Sequence, residues 1–163
     1  MKKLAFFFLL ISLNSFSQKN LEQLLKKFNT ENVPYISVTD LQKETEVVLL
    51  DTREPVEFEV SHIKNAICVG YDFFNLEKAL KELPQNKNTK IVVYCSLGIR
   101  SEDIAEQLQK AGYTNVFNLY GGIFEWKNQN NTVVNKQNNP TEKVHTFNKE
   151  WSKWLHKGEK IYE

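Results

Sequence analysis

The chain has 163 residues, 41% hydrophobic and 25% charged, enough apolar material for one globular domain with modest extensions. Twenty-one Lys and Arg residues face 20 Asp and Glu residues, so there is no excess of cations to displace phosphate counterions, and no nucleic-acid partner is expected. Two cysteines exclude a disulfide-dense scaffold, while six glycines and four prolines exclude a collagen-like or low-complexity chain.

The amino terminus is predicted to be a signal peptide covering residues 1–17. A basic start at Met1–Lys3 precedes the apolar run Leu4–Leu13, and the small residues Ser15 and Ser17 stand at the −3 and −1 positions of a cleavage site. The apolar run is shorter than the roughly 20 residues that span a bilayer. We therefore expect a periplasmic or secreted protein with no stable membrane anchor after cleavage; an uncleaved anchor is the alternative.

Apolar runs and helical periodicities alternate along the rest of the chain. A strand–helix alternation favours an α/β fold with a central, mostly parallel sheet and helices on both faces. Right-handed crossovers place the loops that follow the strands at one edge of such a sheet, where functional sites form. The predicted strands are 35–38, 47–50, 66–69, 91–94 and 116–119; the predicted helices are 20–28, one that begins with a capping box at Thr39 and Gln42, 76–83, 101–111, and a short one after Gly121–Gly122.

The carboxy-terminal part is predicted to be a polar linker followed by an aromatic tail. Residues 127–141 are rich in Asn and Gln, which indicates an exposed connection. Phe147, Trp151, Trp154 and Leu155 stand at helical spacing and predict an amphipathic helix docked on the domain, with a partner-binding helix as the alternative. The predicted organisation is a helical lead-in at 18–33, the main domain at 34–128, and the linker and helical tail at 129–163.

The predicted chemistry centres on Cys95, which follows the apolar run 91–94 and precedes a short loop and a helix. Loop amides and the amino end of that helix point inward in such an arrangement and favour negative charge. Arg100 adds a positive charge, so we expect a depressed Cys95 pKa and a nucleophilic thiolate. A buried structural cysteine is the alternative. The predicted substrate cradle consists of Ser96, Leu97, Gly98, Ile99, Arg100 and Ser101.

The length of this loop favours sulfur chemistry. Four residues separate Cys95 from Arg100. Cysteine phosphatases place five residues between the equivalent Cys and Arg, which gives a wider cradle that suits a phosphate group. A loop one residue shorter better suits a single sulfur atom on the cysteine, so a phosphatase is the least favoured reading.

Three segments resemble the rhodanese-like (thiosulfate sulfurtransferase) domain family. They are DTREPVEFEVSHIKNAICV at 51–69, YCSLGIRS at 94–101 and AGYTNVFNLYGGIFEW at 111–126. The resemblance implies a compact α/β domain with a central parallel sheet, and a cysteine that carries sulfane sulfur as a persulfide. It assigns that role to Cys95. Ser61 and Asn65 depart from the glycines usual in the family, so the loop between them is expected to differ slightly in shape.

The resemblance also implies roles for residues outside the loop. Asp51 and Arg53 match the family's Asp-x-Arg element, so Arg53 is predicted to add positive potential at the substrate site or to brace the loop, with Asp51 in support. A purely structural ion pair is the alternative. His62 matches a Gly-His-Ile element and is predicted to be structural, because an activated cysteine needs no base.

The predicted function is a sulfurtransferase that moves sulfane sulfur from thiosulfate or a persulfide donor to a thiol or cyanide. Leu97 and Ile99 make the rim of the cradle apolar, which favours a protein or thiol partner over a small anion. No metal-ligand spacing and no cofactor motif is found, so neither group is expected. The alternatives are a rhodanese-fold protein-binding module and a thiol–disulfide relay between Cys68 and Cys95; otherwise Cys68 is a small buried hydrophobe.

Overall fold

A computed structural model describes residues 20–162, and the signal peptide predicted at 1–17 lies outside them. The central sheet has five parallel strands, which are β1 (Tyr35–Ile36), β2 (Val48–Asp51), β3 (Ile67–Cys68), β4 (Ile91–Tyr94) and β5 (Val116–Leu119). Their order in the sheet is β1-β5-β4-β2-β3. The predicted parallel α/β sheet is therefore confirmed.

Helices cover both faces of the sheet, as predicted. They are α1 (20–28), α2 (Val38–Leu41), α3 (Pro55–Val60), α4 (Leu76–Glu82), α5 (Arg100–Lys110) and α6 (Gly122–Asn128). The side chains of β4 alternate between two apolar layers: Val92 and Tyr94 lie in the layer covered by α1 and α6, while Ile91 and Val93 lie in the layer covered by α4 and α5. No helix within residues 20–162 is long and apolar enough to cross a membrane.

The cap of α2 differs from the prediction. The capping box expected at Thr39 and Gln42 is wrong, because the helix begins at Val38 and Thr39 lies inside it. Ser37 is the N-cap, and its Oγ accepts the amide of Asp40 at 3.0 Å. A serine side chain satisfies the free amides at a helix start in the same way as a threonine side chain.

The region predicted as an exposed connection contains a hairpin whose first strand is buried. Strands β6 (Val133–Val134) and β7 (Pro140–Thr141) pair antiparallel. Val133 is fully buried and Val134 is 3% exposed, so the prediction of exposure is wrong at these two residues. Backbone hydrogen bonds in both directions between Val134 and His62 attach the hairpin to the main domain.

The tail docks on the domain without forming the predicted α-helix. It consists of β8 (Lys143–His145), a 3-10 helix (Trp151–Trp154) and β9 (Glu159–Ile161), with β8 and β9 paired in parallel. Phe147 has a left-handed backbone (φ 65°), which interrupts any helix that would include it. Val144 and Leu155 are fully buried in the apolar layer that α1 and α6 cover.

Candidate active site

Cys95 lies at the carboxyl edge of the sheet, directly after β4, and α5 begins five residues later at Arg100. The cysteine is only 2% exposed, and it borders a pocket of about 210 Å³. Four predicted cradle residues line this pocket with it, together with two tail residues that the sequence did not place there. The lining residues are Cys95, Ser96, Leu97, Ile99, Arg100, Phe147 and Trp151.

The carbonyl groups of the loop are held from behind. Those of Cys95 and Ser96 accept the backbone amides of the first turn of α6 at 2.9 and 3.2 Å. The carbonyl of Gly98 accepts the side-chain amides of Asn29 and Asn118, both at 2.8 Å. A trans peptide directs its N–H opposite to its C=O. The N–H groups that follow these carbonyls therefore point away from α6 and from the two asparagines, which is the orientation expected of an anion-binding loop.

Two glycines make this anchoring possible. Gly98 has φ 103°, a conformation that a side chain would strain. Gly122 has φ 55°, and a Cβ there would stand 2.3 Å from the carbonyl oxygen of Cys95. The close approach of α6 to the cysteine loop therefore requires glycine at position 122.

The sulfur of Cys95 is surrounded by hydrogen-bond donors. The amide of Gly98 lies 3.1 Å from Sγ, and the hydroxyl of Ser101 lies 3.6 Å away. That hydroxyl is also 2.8 Å from Oδ1 of Asn118, so its one proton serves two acceptors. Burial raises the Cys95 pKa, but the charge of Arg100 and these donors outweigh it and hold the pKa below that of an ordinary thiol.

Glu57 fixes the position of Arg100. Its carboxylate accepts two guanidinium hydrogen bonds from Arg100, both at 2.8 Å, and one from the backbone amide of Glu54 at 3.0 Å. Arg100 also donates to the hydroxyl of Ser96 at 3.2 Å. Burial raises the Glu57 pKa, yet the hydrogen bonds and charge of Arg100 bring it below the usual glutamate value. Arg100 is therefore a positioned cation whose charge is shared with a buried carboxylate.

The role of Glu57 was not predicted from the sequence. What the sequence does contain is the pattern of a helix start, because a proline at the first helical position, Pro55, and a glutamate two residues later suit the amino end of a helix. That signal predicts helix α3 and its capping, but it contains nothing that points across 43 residues of chain to Arg100.

Arg53, predicted to add positive potential at the substrate site or to brace the loop, is not among the residues that line the pocket. The side chain is fully buried, and its Nε and Nη2 donate to the carboxylate of Asp51 at 2.9 and 2.6 Å. Nη2 also donates to the carbonyl of Ser61 at 2.6 Å. The pair therefore bridges the end of β2 to the end of α3, which favours the structural alternative for Asp51 and Arg53.

His62 occupies a structural position. Its ring stacks on Phe58 with centroids 3.8 Å apart, and its Nδ1 lies 3.0 Å from the carbonyl of that residue. It does not line the Cys95 pocket. Within residues 20–162, no three His, Cys, Asp or Glu side chains are grouped so that they could hold a metal ion.

The geometry of Cys68 argues against the relay alternative. Asp51 of β2 pairs with Cys68 of β3 on one side and with Tyr94 of β4 on the other. Strand β2 therefore lies between the strand that contains Cys68 and the strand that Cys95 follows. Two strand spacings amount to about 10 Å, whereas a disulfide needs Cα atoms within about 7 Å. Burial also raises the pKa of Cys68 to about 11. Both thiols are free.

Phe147 and Trp151 bring the tail into the site. The Phe147 ring lies 5.3 Å from the guanidinium carbon of Arg100, a cation–π contact. Trp151 forms another part of the pocket wall and meets the ring of Phe28 edge to face, 6.5 Å between centroids. The sequence showed an aromatic tail, but it gave no indication of which surface the aromatic side chains cover.

The chain belongs to the rhodanese-like domain family, whose profile matches residues 35–129. It is 38% identical over 91 residues to the tRNA uridine(34) hydroxylase of Hamiltonella defensa, which is 55% of this chain and 26% of that protein. It is 35% identical over 83 residues to the probable adenylyltransferase/sulfurtransferase MoeZ of Mycobacterium tuberculosis, 51% of this chain and 21% of that protein. The chain thus spans about a quarter of these curated relatives.

Among solved structures, a rhodanese-related protein from Thermoplasma volcanium is similar to the described fold. The TM-score is 0.55 and the sequence identity 30%. The likeness covers 62% of this chain and 97% of that one. The rhodanese-like fold expected from the sequence motifs is therefore confirmed.

Proposed function

We propose that the protein is a sulfurtransferase that carries sulfane sulfur on Cys95 as a persulfide. The observation that carries this proposal is the position of the Cys95 Sγ at a pocket, 3.1 Å from the amide of Gly98. The charge of Arg100 lowers the pKa of this thiol. Such a sulfur ionises more readily than an ordinary thiol, which makes it a better nucleophile without a separate base. The sulfurtransferase named among the relatives supports the same chemistry, although its match covers a fifth of that protein.

In the first half of the reaction, the Cys95 thiolate attacks the outer sulfur of thiosulfate or a persulfide. A new S–S bond forms, the S–S bond of the donor breaks, and sulfite or a thiolate leaves with the electron pair. The amides of the loop and the Arg100 guanidinium stabilise the anionic outer sulfur, because they are oriented before the charge arrives.

In the second half, a thiolate or cyanide attacks the outer sulfur of the persulfide. The acceptor departs as a persulfide or as thiocyanate, and the Cys95 thiolate is restored with its electron pair. Both halves balance without an external oxidant or reductant, so the chemistry calls for no redox cofactor. The signal peptide predicted at 1–17 supports a proposed location of this reaction outside the cytoplasm.

Steady-state kinetics of thiocyanate formation test the proposal. With thiosulfate and cyanide as the varied substrates, a covalent intermediate gives ping-pong kinetics, seen as parallel double-reciprocal lines. Cys95→Ser should abolish turnover, and Cys68→Ser is the matched control that should retain it. Turnover by Cys95→Ser, or sequential kinetics in the unmodified protein, would overturn the proposal.

A further inference from the structure

The Cys95 pocket is lined by polar and by apolar residues, and we call these two parts of the lining its floor and its walls. The polar floor consists of Cys95, Ser96 and Arg100. The walls are the side chains of four residues, two from the cysteine loop and two from the tail: Leu97, Ile99, Phe147 and Trp151. A donor that reaches the sulfur therefore exchanges water for hydrocarbon on most sides.

The tail half of these walls is firmly attached. Val144 before Phe147 and Leu155 after Trp151 are both fully buried. The amide of Thr146 donates to the carbonyl of Ile161 at 2.7 Å, and this bond extends the β8–β9 pairing to the residue that precedes Phe147. The two aromatic residues are thus held in place on both sides along the chain, and they form a fixed wall.

The charge at the floor disfavours a dianion. The guanidinium of Arg100 is already engaged by the Glu57 carboxylate through two 2.8 Å hydrogen bonds. With the Cys95 thiolate, the three groups carry two negative charges and one positive charge. A dianionic donor such as thiosulfate must therefore lose hydration against apolar walls without an unshared cation to compensate it.

The volume suits a donor with one compact apolar group. An apolar cavity of about 150 Å³ accommodates benzene. The pocket of about 210 Å³ therefore has room for one aromatic ring and the sulfur atoms attached to it.

We propose that Phe147 and Trp151 determine specificity, so that the pocket selects a monoanionic sulfane donor carrying a compact apolar group. This rests on the proposed function and names its donor class. An aromatic thiosulfonate, R–SO₂–S⁻, has this chemistry: one oxygen of thiosulfate is replaced by an apolar group. The Cys95 thiolate attacks its outer sulfur, the S–S bond breaks, and the sulfinate R–SO₂⁻ leaves with the electron pair.

The test compares kcat/KM for benzenethiosulfonate, methanethiosulfonate and thiosulfate in the cyanide assay. Each value is divided by the rate constant of the same donor with a small free thiol, which removes intrinsic reactivity. The normalised kcat/KM for benzenethiosulfonate should exceed the values for the other two donors by at least about ten-fold, since even one methylene group in an apolar pocket discriminates that strongly.

The informative variant is Phe147→Asn, because asparagine tolerates the left-handed backbone that Phe147 adopts (φ 65°). It removes the ring without straining the chain, and an unchanged urea midpoint verifies that the fold is intact. In this variant, the ratio of the normalised kcat/KM for benzenethiosulfonate to that for methanethiosulfonate should fall by at least about ten-fold. Phe73→Ala is the matched control: Phe73 is 93% exposed, lies outside the pocket, and should leave the preference unchanged.

Equal normalised values for the three donors in the unmodified protein would overturn the specificity proposal. So would a Phe147→Asn variant that keeps the preference. In either case the proposed function stands, provided that the protein forms thiocyanate and Cys95→Ser does not. No turnover with any of the three donors would overturn both proposals.

Discussion

Replacing Arg100 by methionine would leave the Glu57 carboxylate buried without its cation. The Glu57 side chain is 2% exposed and that of Arg100 is 19% exposed, so the ion pair is largely shielded from water. Breaking such a pair by removing one partner costs about 3–5 kcal/mol. Glu57 keeps the amide of Glu54, and Arg100 is partly solvated, so we expect the lower end, about 3 kcal/mol. For a domain of this size, that lowers Tm by about 6–12 °C.

The loss of unfolding free energy in Arg100→Met should be smaller at acidic pH than at neutral pH. In the unmodified protein the Glu57 pKa is depressed, so the stabilisation is present above the pKa of an unfolded glutamate and is lost as pH falls through the folded value. In the variant, burial without a cation raises that pKa, and protonation relieves the penalty. The difference in unfolding free energy between the two proteins should therefore narrow as the pH falls.

Urea unfolding of a double-mutant cycle measures both effects. The cycle comprises Arg100→Met, Glu57→Gln and the double variant, each measured at neutral and at acidic pH. Because the double variant has no orphaned charge, it should lose less free energy than the sum of the two single variants, by at least about 1 kcal/mol. Additive losses, or a difference that does not change with pH, would refute the reasoning.

Three further predictions concern the cysteine loop. Ser101→Ala removes a donor near the thiolate, so the pH profile of Cys95 alkylation should move to higher pH; an unmoved profile would contradict the hydrogen bond. Gly122→Ala should cost about 3 kcal/mol in urea unfolding, because its Cβ meets the Cys95 carbonyl at 2.3 Å, and a variant as stable as the parent would refute that contact. Near neutral pH, alkylation followed by peptide mapping should label Cys95 well before Cys68, whose pKa is about 11; equal labelling would contradict both pKa directions.

The strands that hold the site could be predicted because they are buried on both faces. A strand covered on both faces is mostly apolar, so β4 and β5 match their predicted bounds residue for residue, although β5 also contains the buried polar Asn118. Strand β2 is displaced by one residue from its predicted run, since the polar Asp51 belongs to it. The position of Cys95 at the end of β4 followed directly, and with it the geometry of the loop.

The partners of this loop could not be predicted, because they come from distant parts of the chain. Glu57 stands in a six-residue helix, where a glutamate is ordinarily solvent-exposed, and the cation that pairs with it in the buried site is Arg100, 43 residues further along the chain. The prediction of an α-helix in the tail was wrong for a different reason. Four apolar residues at helical spacing are too few to separate an α-helix from a 3-10 turn between two short strands, and long-range β8–β9 pairing decided the outcome.

The most direct test of the persulfide is the intact mass of the reduced protein after incubation with thiosulfate and, separately, with benzenethiosulfonate. We predict a gain of one sulfur atom that cyanide reverses, that Cys68→Ser retains, and that Cys95→Ser lacks. An unchanged mass with both donors, or the same gain in Cys95→Ser, would contradict a sulfur carrier at Cys95.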